Sequence, residues 1–199
     1  NPNYVPARLW RSELLVHLGR HDEAIAEIRR ALELDPLSLI VNKVYGDCLY
    51  FARRYDEAIV QLNKTLELDP SFAVPHRVLG YIHEMKGDYV AAVEEFAKFQ
   101  ELNGRPDVAT AIRRSFAEGG WQGYLRTMIG EQRPANLPSY MAARFHAALG
   151  ETGKAFSELN KAYENREFFL VLLKVDPSLD PLRSDPRFAE LMRKVGLPQ

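Results

Sequence analysis

His17 and His21 stand one helical turn apart, the spacing at which two imidazoles on one helical face can share a metal ion. Gly19 lies between them, where a helix is expected to end, and this sends the two rings in different directions. His83-Glu84 close to Asp88 joins imidazole and carboxylates, but no further ligand is implied beside them, and the group reads as polar side chains beside a turn. Cys48 is the only cysteine and has no histidine at helical spacing, so it reads as a small buried hydrophobe rather than a nucleophile. One cysteine also excludes an internal disulfide framework and a multi-cysteine zinc site. Gly119, Gly120 and Gly123 lack the preceding strand and the following Lys-Ser or Lys-Thr of a phosphate loop. No catalytic, cofactor-binding or metal residue is therefore assigned, no cofactor is expected, and the chain is read as a non-enzyme.

Composition points the same way. The 199 residues are 46% apolar, enough for a core, with no apolar run long enough to span a bilayer. A formal net charge of −1 gives no drive toward nucleic acid or anionic lipid. The pairs Arg29-Arg30, Arg53-Arg54 and Arg113-Arg114 are scattered among acidic residues and read as solvated helix faces. A lone cysteine fits a reducing compartment, and a cytoplasmic location is expected.

The elements that must position any site are marked by Pro2, Pro36 and Pro70, which recur at one fixed interval and each follow Asn or Asp. Three units follow, Val5 to Ser38, Leu39 to Phe72 and Ala73 to Pro106. His21-Asp22-Glu23-Ala24-Ile25 and Tyr55-Asp56-Glu57-Ala58-Ile59 open equivalent second helices, which close with Leu-Glu-Leu-Asp before Pro36 and Pro70. Gly46 and Gly80, with Ser12 in their place in the first unit, are expected to face Ala58 and Ala92, small against small, so that paired helices approach closely. Ile28, Leu62 and Phe96 hold one position further along the second helix and are expected to fill the groove toward the next unit. Gly19 and Gly87 suit a left-handed helix end. Arg53 holds that place in the second unit, where an L-residue costs on the order of 1 kcal/mol.

The register then slips. Gly104 stands where proline is due, and the step from Gly87 to Gly150 falls five positions short of two periods. The segment 107–135 reads as an irregular helix pair: a run from Asp107 to Glu118, a Gly119-Gly120 break, and a run from Trp121 to Gln132. Tyr124 falls where the small alanine belongs. The pattern resumes over 136–166 with Ala142-Ala143, Leu149-Gly150, Ala155-Phe156 and Ala162. Residues 167–199 read as a terminal cap: Phe168 to Leu173 covers the last repeat, and Asp176-Pro177, Asp180-Pro181 and Asp185-Pro186 each start a short helix. Phe188, Leu191, Met192 and Val195 form one apolar stripe for docking.

A period of 34 with these residues resembles the tetratricopeptide repeat. The resemblance implies an all-α, right-handed superhelix, an α-solenoid of antiparallel helix pairs with a C-terminal capping helix, forming one continuous domain. Asn1-Pro2 falls where a preceding repeat should finish, so the chain is expected to be part of a longer array. Val175 to Phe188 is similar to the closing segment of tetratricopeptide regions in multidomain bacterial proteins with winged-helix, nucleotide cyclase or eukaryotic-type Ser/Thr kinase domains. This implies the C-terminal part of a larger regulatory or signalling protein.

The family lines its concave wall with first-helix residues. The expected partner-binding set is Lys43, Asp47, Tyr50 and Phe51, then Arg77, Tyr81, Glu84 and Met85, extended by Tyr140 and Arg144. Aromatic and Met side chains beside Lys and Arg suit a peptide or protein with apolar anchors flanked by acidic groups. Two alternatives stay open: Tyr50, Phe51 and Tyr81 only pack against neighbouring helices, or the groove senses a small molecule. The Lys-Asn-Arg clamp with which some relatives hold C-terminal carboxylates is missing, because Lys43 pairs with Asp47 and the first unit offers Leu9 and Glu13. Leu9, Trp10 and Leu14 are expected to lack the cover of a preceding repeat and to let the chain self-associate.

Overall fold

The computed structural model describes residues 3–130 and 137–197. Asn1-Pro2, the end of the expected irregular pair at 131–135 and the start of the following repeat at 136 lie outside these residues. All regular structure among the described residues is helical. The chain resolves into two compact units, Asn1–Arg113 and Arg114–Gln199, and the division falls inside the segment where the register slips.

The N-terminal unit contains α1 (Val5–His17), α2 (His21–Leu34), α3 (Leu39–Phe51), α4 (Tyr55–Leu68), α5 (Val74–Lys86), α6 (Tyr89–Leu102) and the start of α7 (Pro106–Ile129). First and second helices alternate at 13 and 14 residues, so each of the three pairs is the same object repeated. Each first helix packs on its own second helix, and α2 and α4 also pack on the first helix that follows. Proline sets where α2 and α4 stop. A residue before proline is pushed out of the helical region, and Asp35 (φ −143°) and Asp69 (φ −150°) are non-helical ahead of Pro36 and Pro70. At the turn inside each pair, Gly19, Arg53 and Gly87 take φ of 76°, 60° and 75°. The next amide in each case donates back to a first-helix carbonyl, Arg20 N to Leu15 O, Arg54 N to Leu49 O and Asp88 N to His83 O, at 2.8 to 2.9 Å. Arg53 thus adopts the left-handed geometry its position predicts, despite its side chain.

The small-residue seam differs from its expectation in one respect. A Cβ added at Gly46 would lie 2.5 Å from Leu62 Cδ2, and one at Gly80 would lie 2.5 Å from Phe96 Cε1. The glycines therefore make room for the large side chain on the second helix of their own pair, not primarily for Ala58 and Ala92. Leu62 and Phe96 fill the space inside their own pairs. Ala58, Leu62, Ala92 and Phe96 are all buried. Burying one such Leu or Phe stabilises the unit by roughly 1.5 to 3 kcal/mol.

A second device repeats with the same period. Gln61 Nε2 donates to Asn42 Oδ1 at 2.8 Å, and Asn42 Nδ2 donates to the carbonyls of Pro36 (2.9 Å) and Ser38 (3.0 Å). The same two positions carry Arg8 with Glu27 in the first pair (2.9 Å) and His76 with Glu95 in the third (2.7 Å). A polar bond between the first turn of one helix and the middle of the next ties together each of these three pairs, with different chemistry each time.

In the C-terminal unit, Gly120 interrupts α7 with φ 60° and ψ −156°, a conformation open essentially to glycine alone. The chain turns back so sharply that a Cβ at Gly123 would meet the Ser115 carbonyl oxygen at 2.7 Å. The expected Gly119-Gly120 break is this corner. Tyr124 beyond it is buried, edge-on to Phe145 and tilted against Trp121. There follow α8 (Ser139–Ala148), α9 (Thr152–Glu164), 3-10 helices over Phe168–Leu172 and Pro177–Leu182, and α10 (Pro186–Val195). The predicted cap stripe holds: Phe188, Leu191 and Met192 are buried with Leu170 and Leu173 against α8 and α9, and Val195 packs at their edge. Asp176 and Asp185 cap their helices through Ser178 N and Arg187 N, both at 3.0 Å. Asp180 does not. Pro181 lies inside the second 3-10 helix, and Asp180 instead accepts from Arg183 Nε.

Candidate protein-binding wall

The first helices α1, α3 and α5 touch one another in sequence and form one wall of the N-terminal unit. Positions one period apart fall into rows along it. One row reads Leu9, Lys43, Arg77, the next Glu13, Asp47, Tyr81, and a third His17, Phe51, Met85, all of them partly buried. Large side chains that remain partly accessible in register are what a groove needs to grip another chain without unfolding itself.

The charges on the wall are organised. Lys43 Nζ lies 2.5 Å from Asp47 Oδ2, one turn along α3. Glu13 approaches the same two groups from α1, and burial raises its carboxyl pKa, with Lys43 opposing and Asp47 adding to the rise. Arg77 stacks its guanidinium 5.3 Å from the Phe99 ring centroid. Glu84 is partly buried on α5. Glu13 belongs with the wall residues, although in sequence it figures only as a mismatch to a carboxylate clamp. Its place one period before Asp47 is the signal that identifies it.

Tyr50 is a correction. It is buried, with its ring 5.0 Å from Phe51, 6.1 Å from Tyr55 and 6.3 Å from Tyr81, so it supports these partly buried rings from beneath and presents no surface to a partner. Val16, one period earlier, is buried as well, whereas Glu84, one period later, is only partly buried. Phe51 and Tyr81 retain access while leaning on Tyr50 and, for Tyr81, on Phe96 at 5.4 Å.

Tyr140 and Arg144 are corrected for the same reason. Both are buried in the C-terminal unit. Tyr140 OH donates to Asp176 Oδ2 at 2.9 Å, Arg144 Nε donates to Ser178 Oγ at 2.6 Å, and Arg144 Nε lies 3.4 Å from Asp176 Oδ2. These groups fasten the cap to α8 and are spent on that contact. Glu167 completes the fastening, its carboxylate accepting from the backbone amides of Ser139 (2.8 Å) and Tyr140 (3.0 Å) where α8 has no cap of its own.

The groups weighed for chemistry take structural places. Cys48 is buried in α3, and burial, with Asp47 adding, pushes its thiol far above the ordinary range. His17 and His21 are held below the free imidazole value by burial, with Arg53 adding to the effect at His21. His83 Nδ1 stands 3.7 Å from Asp88 Oδ2, too far for a hydrogen bond. Among the described residues no three His, Cys, Asp or Glu side chains converge as a metal site would require. No helix among them is long and apolar enough to cross a membrane.

A profile of the tetratricopeptide repeat matches residues 1–38, 11–73 and 46–106 in overlapping segments. The matches cover more than half of the chain, and with the paired helices they show that it belongs to the tetratricopeptide repeat family, as an all-α solenoid. No curated protein matches the chain. Repeats of this family generally mediate contacts between proteins.

Proposed function

We propose that the wall of α1, α3 and α5 is a concave docking surface for a peptide or partner protein, and that the chain serves as the C-terminal interaction module of a larger bacterial regulatory or signalling protein in the cytoplasm. The observation that carries the reading is the set of partly accessible Phe51, Tyr81 and Met85 beside Lys43 and Arg77, in register on adjacent first helices. Such a surface suits an extended or helical segment whose apolar anchors enter between the rings and whose acidic neighbours meet Arg77 and Lys43. Lys43 is already paired with Asp47, so it contributes orientation more than net attraction.

Selection from a random displayed-peptide library tests this. Enriched peptides should share one or two large apolar residues flanked by Asp or Glu. Enrichment of basic peptides, or of none, would contradict it.

A further inference from the structure

Lys43 and Arg77, one period apart on the wall, are not equivalent cations. Lys43 Nζ lies 2.5 Å from Asp47 Oδ2, and Glu13 approaches both groups from α1, so two carboxylates meet one ammonium there. Arg77 has no carboxylate of its own. Among the described residues it makes no ion pair, and its Nε is buried without an acceptor. Arg8 and Arg144, by contrast, face Glu27 at 2.9 Å and Asp176 at 3.4 Å. The carboxylates nearest to hand do not serve Arg77: Glu95 of α6 is held by His76 at 2.7 Å, and Glu84 lies two turns further along α5, about 10 Å by helical rise. The guanidinium instead stacks 5.3 Å from the Phe99 ring centroid, which fixes its plane and leaves its charge uncompensated.

We infer that Arg77 is the specificity-determining residue of the wall and pairs with the carboxylate of one Asp or Glu side chain in the docked segment, while the Lys43-Asp47 pair takes no part in reading charge. This rests on the docking role proposed above. A guanidinium whose plane is already fixed accepts a carboxylate in its fork at little further cost in side-chain freedom. An acidic residue placed over Lys43 would meet Glu13 and Asp47 as well, and like charges in a partly buried site repel with little screening. The carboxylate belongs to a side chain rather than to a chain end. A chain end gains from donors on two flanks, and along this row Arg77 has only Lys43 beside it, already held by Asp47.

Fluorescence polarisation of a library-selected peptide on the whole chain tests the inference, with each Asp or Glu of the peptide replaced in turn by its amide. One amide peptide should bind the wild type at least about tenfold more weakly than the parent. Arg77→Gln should lose the same factor for the parent and should not distinguish the two peptides. Arg77→Lys, which keeps the charge without the fork, should recover part of the loss, and it decides the matter if Arg77→Gln loses helical circular dichroism. Lys43→Gln/Asp47→Asn, which removes the ion pair whole, should bind the parent like the wild type, and amidating the peptide's C-terminus should change nothing. Wild-type affinity in Arg77→Gln, an amide peptide that loses as much on Arg77→Gln as on the wild type, or a loss on C-terminal amidation overturns the inference. If Phe51→Ala/Met85→Ala weakens binding while Arg77→Gln does not, this inference alone fails; a library that yields no binder overturns the docking role and this inference with it.

Discussion

Gln61 donates a buried hydrogen bond of 2.8 Å to Asn42, and the same two positions one period earlier and one later are bonded as Arg8 with Glu27 and His76 with Glu95. The position is constant and the chemistry is not, so what each pair requires there is a satisfied polar contact. Gln61→Ala leaves the Asn42 amide oxygen without that donor and should cost about 1 to 3 kcal/mol. Transplanting the first pair's solution, Asn42→Arg with Gln61→Glu, should cost less than Asn42→Arg alone. Urea denaturation of the three variants measures both differences.

Gly46 makes the complementary demand for space. Alanine there would ordinarily favour the helix by up to about 1 kcal/mol, but its Cβ would fall 2.5 Å from Leu62. Gly46→Ala should therefore destabilise by roughly 1 to 3 kcal/mol, and by clearly less in a Leu62→Ala background. Gly153→Ala in α9, where nothing lies within 4 Å of the added atom, should be neutral or stabilising. Equal penalties at Gly46 with and without Leu62 would show that the two side chains do not compete.

These two positions also show what the sequence could disclose. The period, the proline stops and the left-handed turns at Gly19, Arg53 and Gly87 depend on local backbone chemistry, and all are legible from residue type and spacing. The partner of Gly46 is not, because Ala58 and Leu62 lie one turn apart on the same helical face and spacing alone does not say which approaches nearer. The same limit applies to the wall. Row membership on α3 follows from the period, but whether Tyr50 looks outward depends on the packing of Phe51, Tyr55 and Tyr81 around it. Tyr140 and Arg144 cannot be placed from sequence because their partners, Asp176 and Ser178, lie beyond α9 in a cap that has no repeat register to follow.

The fastening of that cap should be sharply sensitive to charge. Arg144 and Asp176 are both buried, so Arg144→Met leaves a buried carboxylate without its cation and should cost about 3 to 5 kcal/mol. Tyr140→Phe removes one hydrogen bond to the same carboxylate and should cost about 1.5 to 3 kcal/mol. Limited proteolysis should cut the Arg144→Met protein within 168–185 well before the wild type. Equal cleavage rates would show that the Arg144 contact does not secure the cap.

Stability of the N-terminal unit should fall on mild acidification. His17 and His21 have folded pKa values below 6.5, so between those values and 6.5 the unfolded chain binds more protons than the folded one. Their contribution is fully present above pH 6.5 and is lost as pH falls through the folded values. Glu13, raised by burial, acts in the opposite sense, since its protonated form is favoured in the folded state. The comparison that isolates the histidines is the urea midpoint at about pH 8 and about pH 5.5. The His17→Gln/His21→Gln double variant should lose less stability than the wild type over that interval.

A wall of α1, α3 and α5 that receives a protein segment must lose affinity when its accessible apolar side chains are truncated. The most direct measurement is the affinity, by fluorescence polarisation, of a library-selected peptide for the wild type, for Phe51→Ala/Met85→Ala and for Val60→Ala on the exposed side of α4. The wall variant should bind at least about tenfold more weakly with its helical content unchanged, and Val60→Ala should bind like the wild type. Equal affinity for the wild type and the wall variant would contradict a docking role for this surface.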